Sequence, residues 1–371
     1  AAQATQSAAQ SLYYPHLLGQ LSHDQLFFSH YNYRQQFATA ALDWSIGDWL
    51  KRTALADAKL AEAEKTRRQQ TALQVVQRVA TLFVGILRDQ RELALFEQRS
   101  KILEEHEQVA EAQWQAGIRT ELDVVQTRVA INDLREQKMM LQAQANGLQT
   151  TLVQLLNLQT AETLVLHDFP DQIIEVEPDS AQTQLLRNPL LQSLHLEADS
   201  QRLRLRQVAA ARLPHVQLWG GFVVDRDPTA EGNYWHTGVQ VQLPIFRWDK
   251  TKFKRQEIEA QAKALQWQGK QARQELEIEH AQLLQRLAGL RQIYRLKQER
   301  VEITRQSLQI ATATYHAGLI TNLEYLNVQE ENMTTRVALN DARLTYVLGL
   351  IENDVMTNQL DKIKLLQEPS Q

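Results

Sequence analysis

Side chains able to do chemistry are numerous here but poorly arranged for it. The 371-residue chain carries ten histidines and 44 acidic residues, and it has no cysteine. Disulfides, thiolate metal sites and a catalytic thiol are therefore excluded. His23 and His30 share one expected loop with Asp24, and His16 and His215 each follow a proline. None of these forms a ligand spacing that would fix a metal ion, so they are expected to be solvated loop or barrel residues. The run Glu104, Glu105, His106, Glu107 is expected to be a wet helix face. No phosphate loop, HExxH pair or serine nucleophile in a strand-turn-helix setting is present. The carboxylates are no denser than charged helices require. No catalytic residue, no metal and no cofactor are expected, and the chain does not read as an enzyme.

Elements must then be sought for another purpose. Only 13 Gly and 8 Pro occur, which favours long helices with few turns. Net charge is −4, with no basic excess to suit nucleic acid. Mean hydropathy is −0.42. The longest apolar run, Val79 to Leu87 with Thr81 and Gly85 included, spans nine residues. A helical span needs about 20, so no transmembrane helix is expected.

An internal duplication organises the sequence. WQAGIRTELD at 114–123 reappears as YHAGLITNLE at 315–324, an offset of 201. The same offset carries Leu42 onto Leu243 and Asp48 onto Asp249, and it shifts to 199 where Tyr14-Pro15-His16 faces Leu213-Pro214-His215. The first repeat covers 1–158 and the second 190–357. Each opens with a strand pair, 14–45 or 214–246. In the second pair Trp235, Thr237, Val239, Val241 and Leu243 share one face, while Tyr234, His236, Gly238, Gln240 and Gln242 share the other. About ten residues per strand suffices to cross a bilayer as a tilted β-strand. Five tryptophans, Trp44, Trp49, Trp219, Trp235 and Trp248, sit in or beside the strands, as an interfacial girdle would require. Ordinary strand packing is the alternative. Trp114 and Trp267 are expected to pack within helices.

Long proline-free helices follow at 48–114 and 249–315, about 98 Å for 65 residues. Leu287, Tyr294, Val301, Leu308 and Tyr315 recur every seven residues, with Leu283 and Leu290 in a second seam that Lys297 and Thr304 interrupt. Val75, Val79, Leu82, Ile86 and Leu93 form the first copy's seam. Gly117 and Gly318 end these helices in turns. Return helices at 121–158 and 322–357 run back antiparallel, the second burying Leu326, Met333, Val337, Leu344, Val347 and Ile351. Residues 159–189, with Pro170, Pro178 and Pro189, form a connecting region, and a helix at 190–212 leads to the second strand pair. Its counterpart before Tyr14 is half present, so the start reads as trimmed. A tail occupies 358–371. The fold class is mainly α with a small β part.

These features resemble the TolC-type outer-membrane efflux protein family across essentially the whole chain. They include the duplication, Leu243-Pro244-Ile245-Phe246 before a long helix, the helix-Gly-helix turns, and Arg187-Asn188-Pro189 with the later Ala209 to Pro214. The resemblance implies a homotrimer whose strands close a 12-stranded β-barrel in the outer membrane of a Gram-negative bacterium, continued by a periplasmic α-barrel. Open strand edges are not tolerated in lipid, and three copies remove them by symmetry. Function would be passive exit for an inner-membrane pump or ABC exporter, through a periplasmic adaptor, in efflux or type I secretion. The resemblance places adaptor docking at Gly117, Ile118, Arg119, Thr120, Gly318, Leu319, Ile320 and Thr321. It places the periplasmic gate at Tyr315, Glu324, Asn327 and Asp123. Helical spacing adds Glu331 to the face of Glu324 and Asn327. Ile320 stands at the family's basic position, so closure needs another cation, Arg119 or Arg128. The missing start leaves a lipid anchor open. A soluble coiled-coil scaffold remains the alternative, and it leaves the duplicated strand pairs unexplained.

Overall fold

The proline-free stretches become the longest elements of the computed structural model. Residues 16–27, 32–45, 53–158, 182–210, 215–223, 233–242 and 249–359 are described, with the isolated positions 7, 14, 166, 168 and 169. Five helices are present among them: α1 (Thr53–Gln115), α2 (Glu121–Leu155), α3 (Pro189–Ala210), α4 (Lys250–His316) and α5 (Asn322–Met356). A 3₁₀ turn, Gln182–Arg187, precedes α3. Pro189 opens α3 in the first turn, where a missing N–H forfeits no intrahelical bond.

Four strands form one antiparallel sheet in the order β1 (His16–Phe27), β2 (Asn32–Ser45), β3 (His215–Val223) and β4 (Tyr234–Gln242). β2 meets β3 at Trp44 opposite Leu218 and Ser45 opposite Gln217. Among the described residues β1 and β4 each pair on one side only. His23 and Asp24 lie within β1, opposite Gln36 and Gln35, not in the loop expected of them. The apolar face of β4 is exposed: Trp235 is 76 % open and Val239 65 %, while the opposite face at His236 and Gly238 is partly covered. Leu21 of β1 is 86 % exposed. A sheet that turns its Leu, Val and Trp outward is built for a non-aqueous neighbour.

Two compact units divide the chain, and each draws on both repeats. One comprises 1–70 with 189–275, the other 71–188 with 276–371. In the first, α3 packs on the start of α1: Ser200 Oγ donates to the Ala56 carbonyl at 2.9 Å, and Arg67 pairs with Glu197 at 2.6 Å. The second is a four-helix bundle with three apolar clusters. Leu73, Val84 and Leu87 of α1 meet Leu283 and Leu287 of α4 and Leu344, Val347 and Ile351 of α5. Farther along, Phe96 and Leu103 of α1 meet Ile131, Leu134 and Leu141 of α2 and Leu326 and Met333 of α5. The third gathers Ala311, Tyr315 and Tyr325.

Several expectations need correction. Of the Val75 series expected in α1, Ile86 is buried, Val79, Leu82 and Leu93 are half-buried, and Val75 is exposed. Farther along, seven-residue steps bury Asp89, Phe96, Leu103 and Ala110, with Arg99 and His106 beside them. Polar residues can occupy such a seam because each has a partner. Gln144 donates to Asp89 at 2.9 Å, and Arg99 pairs with Glu330. His106 is therefore buried, not part of a wet face, although Glu104 and Glu105 are exposed. Thr304 interrupts its seam harmlessly, its hydroxyl bonded to the Thr335 hydroxyl at 2.9 Å. Trp114 and Trp267 are exposed, and Lys270 lies over the Trp267 ring. One helix, Leu55–Gln115 within α1, is long and apolar enough by composition to cross a membrane, contrary to expectation. The uninterrupted apolar run is short because Gln and Arg punctuate it, and Val84, Ile86 and Leu87 are buried in the protein.

Candidate functional site

The two helix-Gly-helix turns share one backbone design. Gly117 has φ +73° and Gly318 φ +75°, the left-handed region where a Cβ is disfavoured. Gly117 N–H donates to the Trp114 carbonyl and Ile118 N–H to that of Gln113, each at 2.9 Å. Gly318 N–H bonds to Tyr315 at 3.0 Å and Leu319 N–H to Thr314 at 2.9 Å, the same pair of closing bonds. Both return helices then start on a threonine. The Thr321 hydroxyl accepts from the Glu324 N–H at 3.2 Å, while Thr321 N–H donates to the Glu324 carboxylate at 2.7 Å. At the first turn Thr120 N–H donates to Asp123 at 3.3 Å.

These bonds give Asp123 and Glu324 a structural task. Thr321 N–H and hydroxyl hold the Glu324 carboxyl below the usual carboxylate range. The apolar residues of the turns remain free: Ile118 and Leu319 are 70 % and 75 % exposed, and Leu122 and Leu323 repeat the pattern one turn into each return helix. Of the docking residues expected at the turns, Ile320 is half-buried against the Tyr315 cluster.

The turns are joined by a cation from the first. Arg119 donates to the Ile320 carbonyl at 2.9 Å and lies 4.8 Å from the centre of the Tyr315 ring. Arg128, the other candidate, stays on its own hairpin, paired with Glu107 at 2.6 Å. Beneath Arg119 lies a cluster contributed by all four helices. The His106 ring of α1 is 4.8 Å from Tyr315 of α4 and 4.4 Å from Tyr325 of α5, and the two tyrosines stack at 5.1 Å. His106 Nε2 and Asn322 Oδ1 are 2.7 Å apart, and Asn322 Nδ2 donates to the Asp123 carbonyl of α2 at 2.9 Å.

Tyr315 is 1 % exposed, so it is an internal brace and not a surface residue of the protomer. Burial pushes its hydroxyl up from the ordinary tyrosine range. Asn327 and Glu331 are exposed and share a groove of 280 Å³ with Lys297, Arg300 and Glu330. Arg300 reaches Glu331 at 3.4 Å. Glu324, Asn327 and Glu331 thus all face outward from α5, and Asp123 and Tyr315 do not join them. Among the described residues no group of three or more His, Asp or Glu could hold a metal ion. Trp49 and Trp248 lie outside the described residues, and Trp44 and Trp219 are placed by their strand backbones alone. His106 was expected on a wet helix face, and Asn322 was not singled out. The signal available was the seven-residue step from Arg99 to His106 beside the buried Phe96, Leu103, Ala110 series.

Comparison with known proteins extends the reading beyond geometry. The family model described as "Outer membrane efflux protein" matches residues 1–158 and 181–351. No curated protein sequence matches. Among solved structures the chain is similar to CusC, with TM-score 0.83 at 18 % identity, covering 96 % of this chain and 86 % of that one. The CmeC outer membrane channel of Campylobacter jejuni aligns with TM-score 0.78 at 15 % identity, covering 98 % and 84 %. The MtrE outer membrane channel of Neisseria gonorrhoeae, in its open state, aligns with TM-score 0.79 at 14 % identity, covering 97 % and 84 %. With the family model spanning both repeats and the fold shared with these channels, the chain belongs to the outer membrane efflux protein family, channels of the outer membrane with a periplasmic part.

Proposed function

We propose that three copies of this chain close a duct through which substrates of an inner-membrane pump leave passively across the periplasm and outer membrane. The observation that carries this is the outward apolar face of a sheet whose two edge strands, β1 and β4, each pair on one side only among the described residues. Four strands from each of three copies make twelve, enough for a closed barrel without free edges. The helices support the same assembly. Leu296, Ile303 and Ile310 of α4 form an exposed apolar stripe at seven-residue steps, as a seam between copies requires. Trp44, Trp49, Trp219, Trp235 and Trp248 would then anchor the barrel at the membrane interfaces.

The turns at Gly117–Thr120 and Gly318–Thr321 are the docking end for a periplasmic adaptor, with Ile118 and Leu319 as its apolar contacts. Glu324, Asn327 and Glu331 supply the gate face, braced from within by Tyr315 and Asp123. Threefold symmetry turns each into a ring, and carboxylate rings favour cations. Efflux and type I secretion both fit this duct. Mass measurement in mild detergent is expected to give three copies of the 42.7 kDa chain. A stable monomer that keeps its β-structure in detergent would overturn the assembly.

A further inference from the structure

Among the described residues one buried histidine ring touches both hairpins, and it has no place in the proposed duct. His106 is 6 % exposed and sits where α1, α2, α4 and α5 converge. The orientation of its partner is fixed. Asn322 Nδ2 donates to the Asp123 carbonyl at 2.9 Å and reaches the Thr127 hydroxyl at 3.3 Å, so Oδ1 is the atom left for His106. An amide oxygen only accepts, so neutral His106 carries its proton on Nε2 and donates across the joint. Nδ1 is the nitrogen an added proton must take, and it makes no hydrogen bond among the described residues.

The surroundings decide what that proton does. From α4 the ring faces Tyr315 and its neighbour His316, from α5 Tyr325, and from α2 Asp123. Arg119 already places a cation on the Tyr315 ring. The Tyr315 hydroxyl is buried without a partner. Asp123 would welcome an imidazolium, but its carboxylate is committed to the Thr120 N–H. Tyrosine faces attract a cation, yet these two are tilted at 57° and 38° to the ring. Burial dominates and, opposed by the Asn322 bond and aided by His316, holds His106 below its ordinary 6.5.

We propose that His106 is a proton-operated joint: neutral, its ring packs against Tyr315 and Tyr325 and holds the α1/α2 hairpin to the α4/α5 hairpin, and protonation at acid pH, which leaves the Asn322 bond made but puts a charge inside that buried cluster, loosens the two tips from each other. This regulates the docking and closing end and rests on that reading of the tip. Its test reads geometry and function separately. The full chain lacks cysteine, so Ile118→Cys with Leu319→Cys accepts a spin-label pair on the two exposed turns. The tip-to-tip distance is expected to lengthen and broaden as pH falls from about 7.5 to about 5. His106→Gln, which keeps an N–H donor and does not titrate, should flatten that profile. Asn322→Asp puts a carboxylate against the ring and should move the midpoint up by about 1 pH unit or more. A flat wild-type profile, or one that His106→Gln leaves unchanged, overturns the proposal even if the second variant fails to fold. Bilayer conductance on the same samples separates the two ideas. A pH-dependent distance without channel activity defeats the duct and keeps the joint, whereas channel activity with a fixed distance does the reverse.

Discussion

Arg119 donates to the carbonyl of Ile320, the residue that occupies its own position in the other repeat. Where the family resemblance leads one to expect a cation on the second hairpin, a guanidinium of the first hairpin reaches that hairpin's backbone. Replacing Arg119 with Ala removes a charge-assisted bond of about 1.5–3 kcal/mol and the ring contact. Resting conductance of the assembled channel should rise by about tenfold or more. Moving the cation, Arg119→Ile with Ile320→Arg, should return it towards the original value. Unchanged conductance in the single variant would show that Arg119 does not hold the tips.

The two glycines test the turns without touching their surroundings. A Cβ at Gly117 or Gly318 meets nothing within 4 Å, so Ala there is penalised by backbone conformation alone. Each Gly→Ala should destabilise its hairpin by about 1–2 kcal/mol. Trimers should still form, while crosslinking to the adaptor weakens. Normal capture would mean that the docking surface lies elsewhere.

Glu324 has two possible tasks that one substitution separates. As the cap of α5, Glu324→Gln loses an ionic acceptor for the Thr321 N–H, and amide exchange in the first turn of α5 should quicken. Its carboxyl is held below the ordinary 4.5, so the capping contribution is full above that pH and is lost as pH falls through the lowered value. The same fraying should therefore appear in the wild type under acid. If Glu324→Gln instead changes cation selectivity with no change in exchange, the ring is its task and the cap is incidental.

Gly349 offers a packing test. An added Cβ would lie 2.7 Å from Leu287 Cδ2, too close for the rotamer present. Gly349→Ala is expected to destabilise the α4/α5 contact by about 1–3 kcal/mol. Leu287→Ala in the same chain should recover part of the loss, and strictly additive effects would argue against the contact.

Much of this architecture is visible in residue type and spacing. Proline-free heptads mark α4, and Leu326, Met333, Leu344, Val347 and Ile351 mark the buried face of α5. Gly117 and Gly318 mark the turns because only glycine enters that backbone region easily. Apolar periodicity fails in α1 for a physical reason. Its seam accepts Asp89, Arg99 and His106, each met by a partner distant in sequence. Such partners exist only after folding, so no local pattern announces them. The tip was legible as a place and its chemistry was not. Glu324 and Asp123 stand out by position, but their capping bonds to the backbone of their own helices are visible only in the folded turn.

The threonine in the α4 seam carries a consequence for assembly fidelity. Heptad helices are nearly self-similar under a slip of seven residues, and an all-apolar seam would tolerate the misalignment. Here a slip would bring Lys297 or Ala311 to the place of Thr304, opposite Thr335 and Asn332. Either takes from the buried Asn332 amide its Thr304 acceptor, and one adds a desolvated charge. The apolar residues supply adhesion within the four-helix bundle, while a handful of polar pairs act as alignment marks that favour one setting of the helices.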